Sequence, residues 1–395
     1  MPHIKIMFVL AFLTSIAALF IKCSGGVNTS SDPRGKYYAG SAACMTCHKG
    51  VADSYIHSSH NKTSGLVSTG EMGSFLSSAN RSFRYDDSSS VTAEKLGMDF
   101  YQTWHHAGQP NRSEQMQLTI GSGEKAQSYA NWKDGQLMQL PLTYLSENNS
   151  WTNSPGFPVS SPYFKRPILS RCLECHASYA SKQEIPSGPM QVIEKIDPSS
   201  IIYGIDCERC HGPSIDHVRF HEEYPDEKKS RFITSINTLT RQQKVDLCAS
   251  CHSGNDMDMQ REIFGFRPGD TLANYIIPSF GNARNEPDVH GKQMQLLAAS
   301  KCYRASQMTC QSCHDSHGPS PESQSVFVTK CMACHDKSSH ATSLKNNAAA
   351  CINCHMPLQA SKKLEFKSGS GSLLYMLRTH RIAVYNDSSH VMSAR

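Results

Sequence analysis

Apolar residues are scarce in this chain of 395 residues. They make up 38% of it, aromatic residues only 8%, and long amphipathic runs are few. That shortage argues against the two or three ordinary domains that the length alone would allow. Too little apolar surface is present to offset the conformational entropy of ordering so long a chain. Positive charge is short as well: the formal net charge is +5, a weak footing for nucleic-acid binding.

Cysteine is what the chain has in quantity, with sixteen residues. Fourteen form seven C-x-x-C pairs, and a histidine follows every pair. In chain order the motifs are Cys44, Cys47 and His48; Cys172, Cys175 and His176; Cys207, Cys210 and His211; then Cys248, Cys251 and His252. Cys310, Cys313 and His314, then Cys331, Cys334 and His335, and last Cys351, Cys354 and His355 complete the set. C-x-x-C-H is the attachment pattern of haem c: two thiols add to the two vinyl groups and the next residue supplies an axial imidazole. Zinc knuckles and redox disulfides also use C-x-x-C, but neither has a use for a histidine after each pair. Seven covalent haems c with their iron are expected, their porphyrins standing in for a side-chain core. Their propionates outweigh the small cationic surplus, so nucleic acid is not an expected partner.

Haem attachment takes place outside the cytoplasm, and residues 1–22 read as an export signal, with Lys5 ahead of a mostly apolar stretch from Ile6 to Ile21. Cys23 follows at once and opens a flexible tether over residues 23–38, beginning SGGVNTSSDPRG. A cysteine there resembles a bacterial lipoprotein cleavage site, although Lys22 stands where a small residue is usual. Lipid anchoring at Cys23 is the expectation, with a soluble periplasmic form or an uncleaved anchor as alternatives. Membrane contact is expected only through that anchor, in the periplasm or at the outer cell surface.

The motifs divide the rest. Residues 39–84 are a first haem segment, 85–165 a β-rich insertion, 166–360 a six-haem array, and 361–395 a C-terminal tail. The insertion reads as strands near Phe100 to Trp104 and Met116 to Ile120, then a hairpin around the Lys133-Asp134-Gly135 turn. SGSGS in the tail reads as a flexible hinge. The fold class expected is mainly α and irregular, dominated by haem, with that small β-rich insertion between the first and second haems.

Each iron needs a sixth ligand or an open position. Outside the motifs and the signal segment the histidines are 57, 60, 105, 106, 217, 221, 290, 317, 340, 380 and 390. His217 and His317 lie too close to their own motifs to reach the far face of the same haem, but each can serve a neighbouring one. With His60, His290, His340 and His380 they are the leading axial candidates. A seventh comes from His57, His105, His106 or His221. Met257 or Met259 is a weaker alternative, and the odd thiol of Cys302 reads as a buried structural cysteine.

Several strings carry a family resemblance: YAGSAACMTCH; IGSGEKAQSY with DGQLMQLPLTY and SPGF; DCERCHGPSIDH; FRPGDTLANY; SKCYRASQMTCQSCHDSHG; and CINCHMP with a later THRI. Over roughly residues 37–385 the chain resembles the multihaem c-type cytochromes related to the nitrifier tetrahaem cytochrome and to hydroxylamine oxidoreductase. The resemblance implies mostly bis-histidine haems stacked in pairs, with His60, His217, His290, His317, His340 and His380 as the matching ligands. The tetratricopeptide repeats often fused to such proteins have no counterpart here. An electron conduit between a redox donor and acceptor is the expected function. The alternative is an oxidoreductase acting on a small nitrogen or sulfur compound at one open haem. Reductases of that kind often replace one motif histidine with lysine, and all seven here keep histidine.

Overall fold

A computed structural model describes residues 32–78, 80–254, 256–277, 287–319, 323–335, 350–368 and 371–385. The signal segment, Cys23, His340 and His390 lie outside them. Strand accounts for 31% of the structure and helix for 29%, which overturns the expected mainly α, irregular fold. The largest element is a curled antiparallel half-barrel of eight strands. Its path runs Ser64–Leu66, Leu118–Ile120, Ala126–Lys133, Gln136–Leu145, Ser150–Asn153, Leu358–Ser368 and Gly371–Arg378, with Arg166–Ile168 also paired to Gln136–Leu145. A four-stranded sheet of Ser82–Arg84, Ser89–Leu96, Asp99–His106 and Gln109–Gln115 packs against it.

Two features conceal these sheets in the sequence. Their inward positions are often small or polar: Ser89, Val91 and Ala93 alternate inward along one strand, and Gln102, Thr103, Thr143 and Thr152 are buried. Gln102 joins the sheets as a strand would, its amide donating to the Leu142 carbonyl at 2.9 Å and accepting from the Leu142 amide at 2.7 Å. The second feature is distance along the chain, because strands near the C-terminus extend a sheet begun far upstream, with Lys367 opposite Asn153. In that last hairpin Ser368 pairs with Gly371. At the Lys133-Asp134-Gly135 turn, Asp134 and Gly135 both take positive φ, 53° and 79°, the backbone a two-residue hairpin loop needs.

The β region also has an ordinary side-chain core. Trp151 is 1% exposed, stacks on Tyr129 at 5.0 Å, and donates its indole N–H to the Phe75 carbonyl. Met72, Phe83, Leu140 and Leu142 pack around it. Porphyrin rings are therefore not needed to fill this half. The helical half differs. Its longest helix among the described residues is Arg241–His252, of twelve residues, and none is long and apolar enough to cross a membrane. Helices that short are marginal alone and depend on what they pack against.

Trp151→Ala should lower the stability of the β region by about 3–5 kcal/mol, read by denaturant unfolding of tryptophan and far-ultraviolet signals. A loss below about 1 kcal/mol would mean that the sheets do not rely on this core.

Candidate functional site

Each motif sits on or beside a short helical turn. Ser41–Cys47, Ser170–His176, Cys207–His211, Arg241–His252, the 3-10 turn Cys310–Ser312, Gln324–Met332 and Ala350–His355 carry them in order. One helical turn sets residues three apart on the same face, so both thiols of a pair point one way. The starts of two of these helices are tied down. The Asp206 carboxylate accepts from the Arg209 amide at 2.8 Å, and Thr240 forms a reciprocal cap with Gln243.

The turns surround one cavity of about 2890 Å³, lined by every motif cysteine except Cys172 and every motif histidine except His176. A pocket for one small ligand is typically ~300–1,000 Å³, so this space suits several large groups. His60, His217, His221, His317 and His380 also line it, as do Cys302 and Met356. His290 does not; burial holds the His176 imidazole below its ordinary value, and His290 is within electrostatic reach and lowers it further.

Four motif histidines each face a histidine from elsewhere in the chain. Ring centroids lie 6.3 Å apart for His48 and His217, 6.0 Å for His211 and His317, 6.2 Å for His252 and His60, and 6.1 Å for His314 and His380. Two imidazoles on opposite sides of one metal, each bonded at ~2 Å, place their centroids about 6 Å apart. The donor set therefore fits haem c: paired thiols, an imidazole after each pair, and a second imidazole at the distance an iron between them requires. Hydrogen bonds orient these rings. His217 Nδ1 lies 2.8 Å from the Arg231 carbonyl and His355 Nδ1 2.9 Å from the Ala383 carbonyl, which makes Nδ1 the donor and leaves Nε2 for a metal. His176 Nδ1 pairs with Thr63 Oγ1 at 2.9 Å.

Other candidates lie elsewhere. His105 and His106 are on the strand Asp99–His106, away from the cavity, and His57 does not line it either. Met257 and Met259 pack against Ile263, Phe266 and Tyr275. His221 stacks edge-on against His217 at 4.6 Å.

Residues between the motif cysteines do work that the pattern alone did not disclose. Glu208 lies within the third motif with its side chain 1% exposed. It accepts from the amides of Ala39 and Gly40 at 3.0 and 2.9 Å, from Ser214, and from Arg34, tying the third motif to the segment before the first. Arg209 donates to the carbonyls of Ile263 and Glu174, and Glu174 accepts from the Ile263 amide, which links the third and second motifs. The available signal was a pair of adjacent opposite charges, Glu208 and Arg209, inside one motif. Thiols of different motifs also meet: Cys44 with Cys207, Cys175 with Cys251, and Cys248 with Cys310.

Against known proteins, the family model for cytochrome c554 and c-prime matches residues 125–212, a span holding the second and third motifs. That match supports a c-type cytochrome with covalently bound haem. Among solved structures the chain is similar to the outer cell wall cytochrome OcwA, with 16% identity and a TM-score of 0.48 over 88% of this chain and 79% of that one. No curated protein matches.

Glu208→Ala leaves Arg34 buried with part of its charge unanswered, and should cost about 3–5 kcal/mol in urea unfolding. A second expectation concerns acid. Burial, with His314 and His252 nearby, holds the His380 imidazole down at about 4. Its pKa is depressed on folding, so the stability it contributes is present above the ordinary value near 6.5 and is lost as pH falls through about 4. Nuclear magnetic resonance of the histidine side chains in the haem-free chain should find His380 neutral at pH 5; its protonation near pH 6 would contradict the burial.

Proposed function

We propose that this chain is an electron-transferring c-type cytochrome with seven haems c, one at each C-x-x-C-H motif. In this reading His217 serves the first motif as second axial ligand, His290 the second, His317 the third, His60 the fourth and His380 the fifth. His340 is the remaining leading candidate, for the sixth or seventh. The observation that carries the proposal is the spacing of the four imidazole pairs, 6.0–6.3 Å, around a shared cavity. Iron held between two imidazoles supplies one-electron carriage with its ligands unchanged.

The chain's own residues suggest a route. Contacts between thiols of the first and third, second and fourth, and fourth and fifth motifs bring those sites close. The Cys210 and Cys251 thiols are near enough to influence each other, which adds the third to the fourth. The fourth motif is then a junction at which the second joins a line running from the first through the third to the fifth. The match to the cytochrome c554 and c-prime family supports a c-type cytochrome, and in this reading the chain is related to the nitrifier tetrahaem cytochrome and hydroxylamine oxidoreductase. Redox proteins are the partners expected of such a conduit. Export through residues 1–22, lipidation at Cys23 and a place in the periplasm or at the outer cell surface complete the reading.

The mature protein should exceed its polypeptide mass by seven haem units and show a sharp red-region band when reduced. His217→Ala should replace one low-spin electron paramagnetic resonance signal with a high-spin one and leave the others in place. A mass equal to the bare polypeptide would end the proposal. Carbon monoxide uptake by one haem of the unaltered protein would move the reading from carrier to enzyme.

A further inference from the structure

His217 and His221 stand one turn apart on the helix Ile215–Glu223, and both face the cavity. The proposed ligand role accounts for His217, whose Nδ1 is oriented by the Arg231 carbonyl and whose ring lies nearly parallel to that of His48, at 13°. It does not account for His221. The Nε2 atom of His221 is buried, and among the described residues nothing hydrogen-bonds to it. A buried polar atom left unpaired is unfavourable, so a partner is wanted on the cavity side. Phe220 packs edge-on against the same ring at 5.2 Å and offers no acceptor.

His221 cannot share the iron of His217. Rings on opposite faces of one metal stand about 6 Å apart, whereas these two are 4.6 Å apart. His221 therefore stands beside the His48–His217 pair, on the wall of the same cavity. The polar groups at the periphery of a haem are its two propionates, and a carboxylate is the acceptor that an imidazole N–H in a shielded site favours.

We propose that His221 is a positioning residue that donates from Nε2 to a propionate of the haem attached at Cys44 and Cys47. This rests on the cytochrome reading above. The hydrogen bond offsets part of the propionate's negative charge close to the iron. Removing it favours the ferric state and lowers the midpoint potential of that haem alone.

The test uses the intact, matured protein. In His221→Leu, potentiometric titration followed by absorption and electron paramagnetic resonance should show one midpoint displaced downward. A tenfold change in its oxidised-to-reduced ratio corresponds to about 59 mV for a one-electron couple. The haem content and the number of low-spin signals should stay as they were. The displaced signal should be the one lost in His217→Ala. His221→Gln, which keeps an N–H donor at similar reach, should recover most of the displacement. Three results would overturn the assignment: no midpoint moves in His221→Leu, a new high-spin signal appears there and makes His221 a ligand, or His221→Gln behaves as His221→Leu does. Failure of the cytochrome reading is separate, because it appears as missing haem mass before any variant is made.

Discussion

Two imidazoles that share a metal must sit about 6 Å apart with the metal between them, and in the proposed reading the helical half of this molecule is arranged around that requirement. Each pair joins segments remote in the chain: His60 reaches His252, and His48 reaches His217. The helices presenting these rings are too short to persist alone. Their positions come instead from groups around the cavity, including carbonyls that orient the rings and carboxylates that hold one motif against another. The Arg231 and Ala383 carbonyls leave Nε2 of His217 and His355 available.

The two halves meet the shortage of apolar residues differently. The β region concentrates its large side chains, with Trp151, Tyr129, Tyr144 and Phe75 in mutual ring contact, and fills other inward positions with serine, threonine and glutamine that hydrogen-bond to neighbours. The helical half leaves a large cavity whose lining includes fourteen cysteines and eleven histidines. Its rigidity comes from buried charge. Arg34 lies among Asp32, Asp206 and Glu208, and Glu208 collects four further donor contacts from the backbone and Ser214. Such a cluster holds position well because each member left alone in a buried site would be strongly unfavourable.

The C-terminal segment bridges the halves. Its strands extend the half-barrel, and the residues after them reach the motifs. Arg378 donates to the carbonyls of Ile352 and Met356, the Ile382 amide donates to Ser300, and His380 arrives opposite His314. Asp288, which accepts from the His290 amide, also accepts from Ser361 and Lys362 on the strand Leu358–Ser368. The sheet is thereby hydrogen-bonded to the segments that carry two of the histidines proposed to face iron.

The seven C-x-x-C-H motifs were legible in the sequence because each is complete within five consecutive residues, so local order already carries the pattern. The same holds for the hairpin at Asp134 and Gly135, where the turn residues announce themselves. Which histidine faces which motif, and how far the sheets extend, were decided only in three dimensions. A second imidazole and a partner strand are both supplied by distant segments, and no short pattern records a meeting that depends on how the whole chain closes. The polar inward faces deepened the concealment, because threonine and glutamine look like surface residues until a neighbour across the sheet satisfies them.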